Sequence, residues 1–416
     1  MPVKGELNFP GDKSISHRLL MLASLADGDS LIYNISTGED VESTRKCLED
    51  CGIVIKDNED YILIKGGGLK SPNVHLNCGN SGTTVRLLMG LLIGKGIEAE
   101  FYGDKSLLNR PMNRIILPLS KMGAVIKSNK GKLPIHIKKS QLKGIDYKSP
   151  IPSAQLKSSI LFAGLGAIGK TSLNEPYKSR DHTEKLLDFL GANLIVDGLN
   201  ITLKPSNNSL LSNFTISVPG DPSTASFFAT AAALIPGSEL ILKGILYNKT
   251  RIGFFNLLKE IGVGIKWISK WEEAGEIVGD LKVYYKNLKK ITISDDLIPG
   301  LIDEIPLVAI LATQSEGRSQ ISGAKELRIK ECDRITAICL NLKNMGVNII
   351  EKEDGFIISG PVQLKGTNIK TYNDHRIAMA FSIAGMISID KVKLDNPNCV
   401  SISYPEFYKT IDRILV

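Results

Sequence analysis

A chain of 416 residues, 43% hydrophobic and 23% charged, has material for two well-packed domains and lacks the bias of a disordered or fibrous polymer. Its net charge of +7, from 51 basic and 44 acidic residues, is too even for a dense nucleic-acid-binding stripe and suits small anionic ligands. Its six cysteines form no C-x-x-C pair, and no apolar run spans a bilayer without a charge or glycine, which argues against a zinc framework and a membrane helix. With no secretory leader ahead of the first motif, free thiols in a reducing, cytoplasmic setting are expected.

The first stretch with chemical character is Pro10-Gly-Asp-Lys-Ser-Ile-Ser-His-Arg18, followed by an apolar run over 19–26. Gly11 and Asp12 read as a turn, and Ser14 or Ser16 as the cap of a helix. Lys13, Ser14 and Arg18 then fall at its first turn, where free N–H groups and the helix dipole favour an anion. An ordinary capped helix with a solvated basic turn gives the same pattern, so this stretch alone does not separate the two. The chain continues with a strand over 31–35, an amphipathic helix over 40–51 closed by Gly52, and strands near 53–56 and 61–65.

This order recurs to make six copies. Amphipathic helices end at Gly52, Gly123, Gly191, Gly262 and Gly346, at intervals of 71, 68, 71 and 84 residues. Helices rich in Ala, Ser and Gly start near Lys13, Ser81, Ser153, Ser223, Asp303 and Asp374, and the last copy closes with Tyr404-Pro-Glu-Phe-Tyr-Lys409 and no final strands. Small-residue helices, apolar on most sides, pack together inside, while helices bearing Lys and Glu lie outside beside the sheets. Six units predict two three-unit domains joined near Val218-Pro-Gly-Asp-Pro222, with a uniform six-unit array as the alternative. If the inner helices of a domain point one way, their dipoles add at one face, and two such faces across a cleft suit a polyanion.

Polar groups at the inner-helix starts are the candidate site residues. Cys78-Gly-Asn-Ser-Gly-Thr-Thr-Val-Arg86 offers backbone N–H groups and Gly82, where a ligand can approach closely. Arg110 precedes Pro111 and is therefore extended, and Ser153-Ala-Gln-Leu-Lys157 presents a hydroxyl, an amide and a cation. Arg180-Asp-His-Thr-Glu184 opens a helix with Asp181 or Thr183 as cap; His182 has no companion at i+4 and reads as an ordinary hydrogen-bonded histidine. Asp303 and Glu304 sit in an apolar setting, as caps or as groups held for proton transfer. Leu327-Arg-Ile-Lys-Glu-Cys-Asp-Arg334 would be a salt-bridged surface if it were a plain helix, and Asn373-Asp-His-Arg376 heads the sixth inner helix.

Taken in order, Gly-Asp-Lys-Ser-x-x-x-Arg, Gly-Asn-Ser-Gly-Thr-Thr-x-Arg, Asn-Arg-Pro-Met, Ser-Ala-Gln-x-Lys, Asp-Glu-x-Pro, Lys-Glu-x-Asp-Arg and Asn-Asp-His-Arg cover nearly the whole chain. As a set they resemble the 5-enolpyruvylshikimate-3-phosphate (EPSP) synthase family, and 153–157, 180–184 and 248–251 look like its class II subgroup. The resemblance implies an inside-out α/β fold of six βαβαββ repeats with buried parallel helices and outer sheets. It implies two domains, 13–217 and 1–12 plus 218–416, closing on substrate around an active site in the interdomain cleft. The implied protein is a cytoplasmic, monomeric enzyme with neither metal nor organic cofactor and no nucleic-acid or membrane partner. It would move the enolpyruvyl group of phosphoenolpyruvate to the 5-hydroxyl of shikimate 3-phosphate and release phosphate.

By the same resemblance, Ser14, Arg18, Ser153, Ala154, Gln155, Arg180 and Lys330, with Lys13 and Asp303, would hold shikimate 3-phosphate. Lys13, Gly82, Arg110, Gln155, Arg334 and Arg376 would hold phosphoenolpyruvate. Asp303 is the implied base for the hydroxyl and Glu331 the implied acid for the methylene carbon, with Lys13 sharing the proton work. Ile402 stands about where many class I members carry a lysine. Gly82 lacks the methyl that crowds glyphosate in insensitive members, so at least partial glyphosate sensitivity is expected. The related UDP-N-acetylglucosamine enolpyruvyl transferases rely on a loop cysteine, which Cys78 beside its glycine turn does not match. An RNA- or polyanion-binding protein would gain by losing Asp303 and Glu331.

Overall fold

In the computed structural model, which describes residues 1–205 and 211–416, the small-residue helices are buried and the charged helices flank them. The chain divides into two units: Pro10–Val218 with Glu273–Glu276, and Met1–Phe9 with Pro219–Glu272 and Ile277–Val416.

The first unit contains α1 (Lys13–Leu25), α2 (Glu39–Asp50), α3 (Gly82–Gly94), α4 (Lys105–Asn109), α5 (Asn113–Lys121), α6 (Ala154–Gly164) and α7 (His182–Phe189). From Ile15 to Leu25 every residue of α1 is buried, because Leu, Met, Ala and Ser leave no face for water to solvate. Helices α3 and α6 pack backbone against backbone: a Cβ at Gly90 would lie 2.1 Å from the Ser159 carbonyl oxygen, and one at Gly94 2.8 Å from that of Phe162. Glycine is what permits that approach. The cap of α1 is neither Ser14 nor Ser16 but Asp12, whose carboxylate accepts from the Ile15 N–H at 2.9 Å. Ser14 and Ser16 lie two and four residues beyond the cap position, inside the helix.

Each four-stranded sheet combines one parallel pair with an antiparallel hairpin. In the second repeat Leu76–Asn77, α3, Ala99–Tyr102, α5, Val125–Asn129 and Lys132–Lys138 follow in βαβαββ order. Leu76 pairs with Phe101 in parallel, and Phe101 with Ile135 and Ile126 with Ile137 in antiparallel register. Leu133, Ile135 and Ile137 are buried while Lys132, Pro134 and Lys138 are exposed, the period-two signature of a sheet with one face on the core. The first repeat takes its opening strand from the far end of the unit, where Thr215–Ser217 lies parallel to Asp29–Tyr33.

The second unit contains α8 (Pro222–Leu234), α9 (Gly253–Glu260), α10 (Ile298–Leu301), α11 (Ile305–Gln314), α12 (Arg334–Asn344), α13 (His375–Gly385) and α14 (Phe407–Ile414). Here too the opening strand comes from a distance: Lys4–Leu7 runs parallel to Glu239–Leu246. The last repeat keeps only the parallel pair Asn368–Ile369 and Lys393–Leu394 among the described residues. Helix α8 is buried along its whole length, and Phe228 packs between Phe9 and Phe407 with ring centroids 5.5 and 5.8 Å away. Truncating such a ring to alanine costs about 3–5 kcal/mol. The charged stretch 327–334 is not one plain helix: a 3-10 turn over Lys325–Ile329 is followed by α12 beginning at Arg334.

The outer helices α2, α5, α7, α9 and α12 are followed by Gly52, Gly123, Gly191, Gly262 and Gly346, all with φ between +78° and +101°. That left-handed conformation ends a helix cheaply only at glycine. Among the described residues no helix is long and apolar enough to cross a membrane, and all six cysteines are free.

Candidate active site

In the first unit the starts of α1, α3 and α6 carry the polar groups. Lys13 Nζ meets Asp40 Oδ2 at 2.9 Å, and the Asp40 carbonyl accepts from Thr84 Oγ1 at 3.3 Å, so α1 and α3 meet at the start of α2. Ser81 caps α3 by accepting from Thr84 N, and Ser153 caps α6 by accepting from Leu156 N. At Gly82 an added Cβ would lie 2.7 Å from Arg86 Nη1 and 3.2 Å from Arg110 Nη1. Two guanidinium groups therefore crowd the amino end of α3, where the dipole also favours a bound anion. Arg86 Nη1 donates to the Gln155 amide oxygen at 2.8 Å, and Gln155 Nε2 donates to Thr83 Oγ1 at 3.0 Å. Arg110, extended before Pro111, donates to Asn80 Oδ1 at 2.7 Å. Gly82, Arg110 and Gln155 are thus brought together, with Arg86 between them.

Arg18 is buried, donating from Nε to Thr183 Oγ1, from Nη2 to Ser158 Oγ and from Nη1 to the Ser14 carbonyl, each at 2.7 Å. Asp181 takes the cap position of α7 without a side-chain cap bond, and Thr183 is spent on Arg18 and Ser158. Lys157, the cation of the Ser153–Lys157 helix start, turns inward: it is 1% exposed and its Nζ lies 2.7 Å from Glu175 Oε2 and 2.6 Å from Glu184 Oε1. Burial raises the pKa of Glu184, and Lys157 pulls it back in part. Arg180 is half-buried at the end of the loop after Glu175. His182 donates from Nδ1 to the Glu276 carboxylate at 2.9 Å, the ordinary hydrogen-bonded role expected of it. Asp181, His182 and Glu276 lie close enough to hold an ion, yet Lys178 and Lys185 already answer the two carboxylates at 3.0 and 2.7 Å.

In the second unit the starts of α8, α11 and α13 meet. Arg334, 1% exposed, is gripped by Asp374 Oδ2 at 2.7 Å and Glu331 Oε2 at 2.6 Å, with Asp303 Oδ1 at 3.8 Å. Burial opposes its charge, but Asp374 and Glu331 outweigh burial and hold the guanidinium above its usual pKa. Arg376 donates to the Asp303 carbonyl at 3.1 Å and lies 3.6 Å from Asp303 Oδ2. Its other neighbour is Glu304, at 3.8 Å, which accepts from Ser223 at the head of α8. Burial, set against Arg376, raises the pKa of Glu304. Lys330, partly exposed, stands 3.6 Å from Glu326. Asp303, Glu331, Arg334 and Arg376 therefore form one cluster of paired charges, the setting in which carboxylates exchange protons beside bound anions.

The family resemblance gave no substrate role to Arg86, Glu304 or Asp374, although Glu304 was read with Asp303 as a cap or a group held for proton transfer. Arg86 was visible as the last residue of its glycine motif, and Asp374 as a helix cap next to Arg376.

A family model described as EPSP synthase (3-phosphoshikimate 1-carboxyvinyltransferase) matches residues 1–411. A protein of Persephonella marina named 3-phosphoshikimate 1-carboxyvinyltransferase is 47% identical over 422 residues, covering 99% of this chain and 97% of that protein. One of the same name from Bacillus licheniformis is 42% identical over 418 residues, with the same coverage. Among solved structures, EPSP synthase from Acinetobacter baumannii superposes with a TM-score of 0.88 at 38% identity, covering 99% of this chain and 96% of its own. The enolpyruvyl transferase NikO from Streptomyces tendae, 15% identical, shares the fold with a TM-score of 0.82 over 99% of this chain and 95% of its own.

Proposed function

The chain belongs to the EPSP synthase family and has 3-phosphoshikimate 1-carboxyvinyltransferase activity in the shikimate pathway, and we propose that the two charged clusters described above carry that reaction. The single observation that supports this assignment most is the cluster in which Asp303 and Glu331, a base and an acid, flank the same buried Arg334.

The substrates are shikimate 3-phosphate and phosphoenolpyruvate, which together bring two phosphates and two carboxylates. Arginine and lysine must offset that repulsion. Arg110 and Gln155, beside Gly82, hold phosphoenolpyruvate, and so do Arg334 and Arg376. Lys13 serves both substrates. Ser14, Arg18, Ser153, Ala154, Gln155 and Arg180 hold shikimate 3-phosphate, joined by Lys330. Glu331 delivers a proton to the methylene carbon of phosphoenolpyruvate, which makes the adjacent carbon electrophilic. Asp303 takes the proton of the 5-hydroxyl as that oxygen bonds to the same carbon. The tetrahedral adduct then loses phosphate, which carries off the proton held by Asp303, as Glu331 regains one proton from the new methyl group; the carbon–carbon double bond is restored, now in an enol ether, and both carboxyl groups return to their starting states. Arg334 steadies both carboxylates through these changes of charge.

Asp303→Ala tests the assignment. Turnover should fall by about 10²–10⁴-fold, the usual contribution of a general base, while calorimetric binding of shikimate 3-phosphate is retained. Turnover that stays at the wild-type level removes Asp303 from the mechanism.

A further inference from the structure

The first turns of α6 hold more than the three substrate residues at its head. Two positions after Gln155, Lys157 lies buried with its ammonium on Glu175 and Glu184, and its Nζ also stands 3.5 Å from the Ser179 carbonyl oxygen. Glu175 in turn accepts from both the backbone N–H and the hydroxyl of Ser179. The loop that begins at Glu175 and the first turn of α7 are therefore fastened to one buried cation. Arg180 is the residue directly after Ser179. On the next position of α6, Ser158 accepts from Arg18 and bonds to Thr183, which itself accepts from Arg18. One stretch of helix thus braces Arg18 directly and Arg180 through its loop.

The side chains of Lys157, Glu175 and Glu184 are 1%, 2% and 6% exposed. Apolar side chains would fill such a volume without the desolvation penalty of three ionisable groups, so stability alone does not call for this cluster. What an ionic cluster adds is fixed geometry in the chain it holds. Resting on the functional reading above, we propose that Lys157, with Glu175 and Glu184, is a positioning residue for shikimate 3-phosphate, presetting Arg18 and Arg180 for the substrate phosphate. None of the three touches substrate. Of the groups that face phosphoenolpyruvate from this unit, Gly82 and Arg110 lie outside the brace, while Lys13 is held by Asp40 and Gln155 by Arg86 and Thr83 rather than by the cluster, so the effect falls on shikimate 3-phosphate.

The test is a triple variant, Lys157→Met with Glu175→Gln and Glu184→Gln, which removes every charge of the cluster together and leaves no buried ion without a partner. Steady-state kinetics should show KM for shikimate 3-phosphate raised ~10-fold or more, the loss expected when a charge-assisted contact is weakened. KM for phosphoenolpyruvate and kcat at saturation should stay within about threefold of wild type. Equal rises in both KM values, or no rise in either, overturn the proposal. Should circular dichroism show the triple variant unfolded, Glu175→Gln alone is decisive: it keeps the shape and loosens the hold on Ser179. A rise confined to KM for shikimate 3-phosphate supports the brace, and an unchanged KM overturns it. Wild-type protein inactive with both substrates would instead overturn the functional reading.

Discussion

Gly82 and Gly90 stand on the same helix, and the same substitution to alanine should have opposite consequences at the two. At Gly82 the added methyl meets Arg86 Nη1 at 2.7 Å and Arg110 Nη1 at 3.2 Å, both the far ends of flexible side chains. Arg86 must withdraw by about 0.7 Å to reach the 3.4 Å of ordinary contact, which loosens its 2.8 Å bond to Gln155. Folding is hardly affected, since the helix gains up to ~1 kcal/mol of propensity from the exchange. Ligand binding bears the cost. Weakening one hydrogen bond to a charged group is worth about 1.5–3 kcal/mol, or roughly 10–100-fold in affinity. Glyphosate spans one more atom between its phosphonate and carboxylate than phosphoenolpyruvate does between phosphate and carboxylate, so it has less slack. Its inhibition constant should therefore rise by the full factor and KM for phosphoenolpyruvate by less. At Gly90 the methyl would meet the Ser159 backbone at 2.1 Å, and backbone cannot swing aside. Gly90→Ala should cost the upper end of the ~1–3 kcal/mol typical of overpacking, lowering Tm by roughly 6–12 °C. Thermal melts and glyphosate inhibition curves on both variants decide it. A Gly82→Ala protein with unchanged glyphosate inhibition, or a wild-type inhibition constant far above KM for phosphoenolpyruvate, refutes the reasoning about the α3 amino end.

Two buried titratable groups predict pH effects of opposite sign. Burial, helped by Lys13 and Arg18, lowers the pKa of His17 below the ordinary 6.5, so the unfolded chain takes up a proton that the folded one refuses. Stability from this residue is complete above pH 6.5 and falls as pH drops below it, by at most about 1.4 kcal/mol per pH unit; His17→Gln should flatten that slope in urea melts. Glu304 is raised above the ordinary 4.5, chiefly by burial, so the unfolded chain loses its proton first and stability declines as pH climbs above 4.5. Glu304→Gln should therefore gain stability relative to wild type at pH 8 compared with pH 5, and equal differences at the two pH values would contradict it.

Much of the architecture is written in periodicity. The five glycines that close the outer helices adopt the left-handed conformation that makes glycine necessary, and the inner helices announce themselves by having no polar face. Strands of two or three residues carry no such pattern. Thr215–Ser217 pairs with Asp29–Tyr33 across nearly the length of the unit, a partnership that no local signal encodes. Side-chain direction was the other blind spot. Lys157 reads as a cation at the helix start that carries Ser153 and Gln155, yet its partners Glu175 and Glu184 lie 18 and 27 residues downstream. Only the fold reveals that they converge on it. Arg86, the last residue of its glycine motif, falls beside Gly82 by helix spacing alone, but its bond to Gln155 depends on where α3 and α6 meet. Asp12 rather than Ser14 caps α1 because the helix begins at Lys13, two residues earlier than a Ser14 cap requires.

The central claim is the reaction itself. Purified protein incubated with phosphoenolpyruvate and either shikimate 3-phosphate or UDP-N-acetylglucosamine, with inorganic phosphate followed over time, tests it most directly. Phosphate should appear with shikimate 3-phosphate and not with the nucleotide sugar. Release with the nucleotide sugar, or with neither acceptor, would contradict the account.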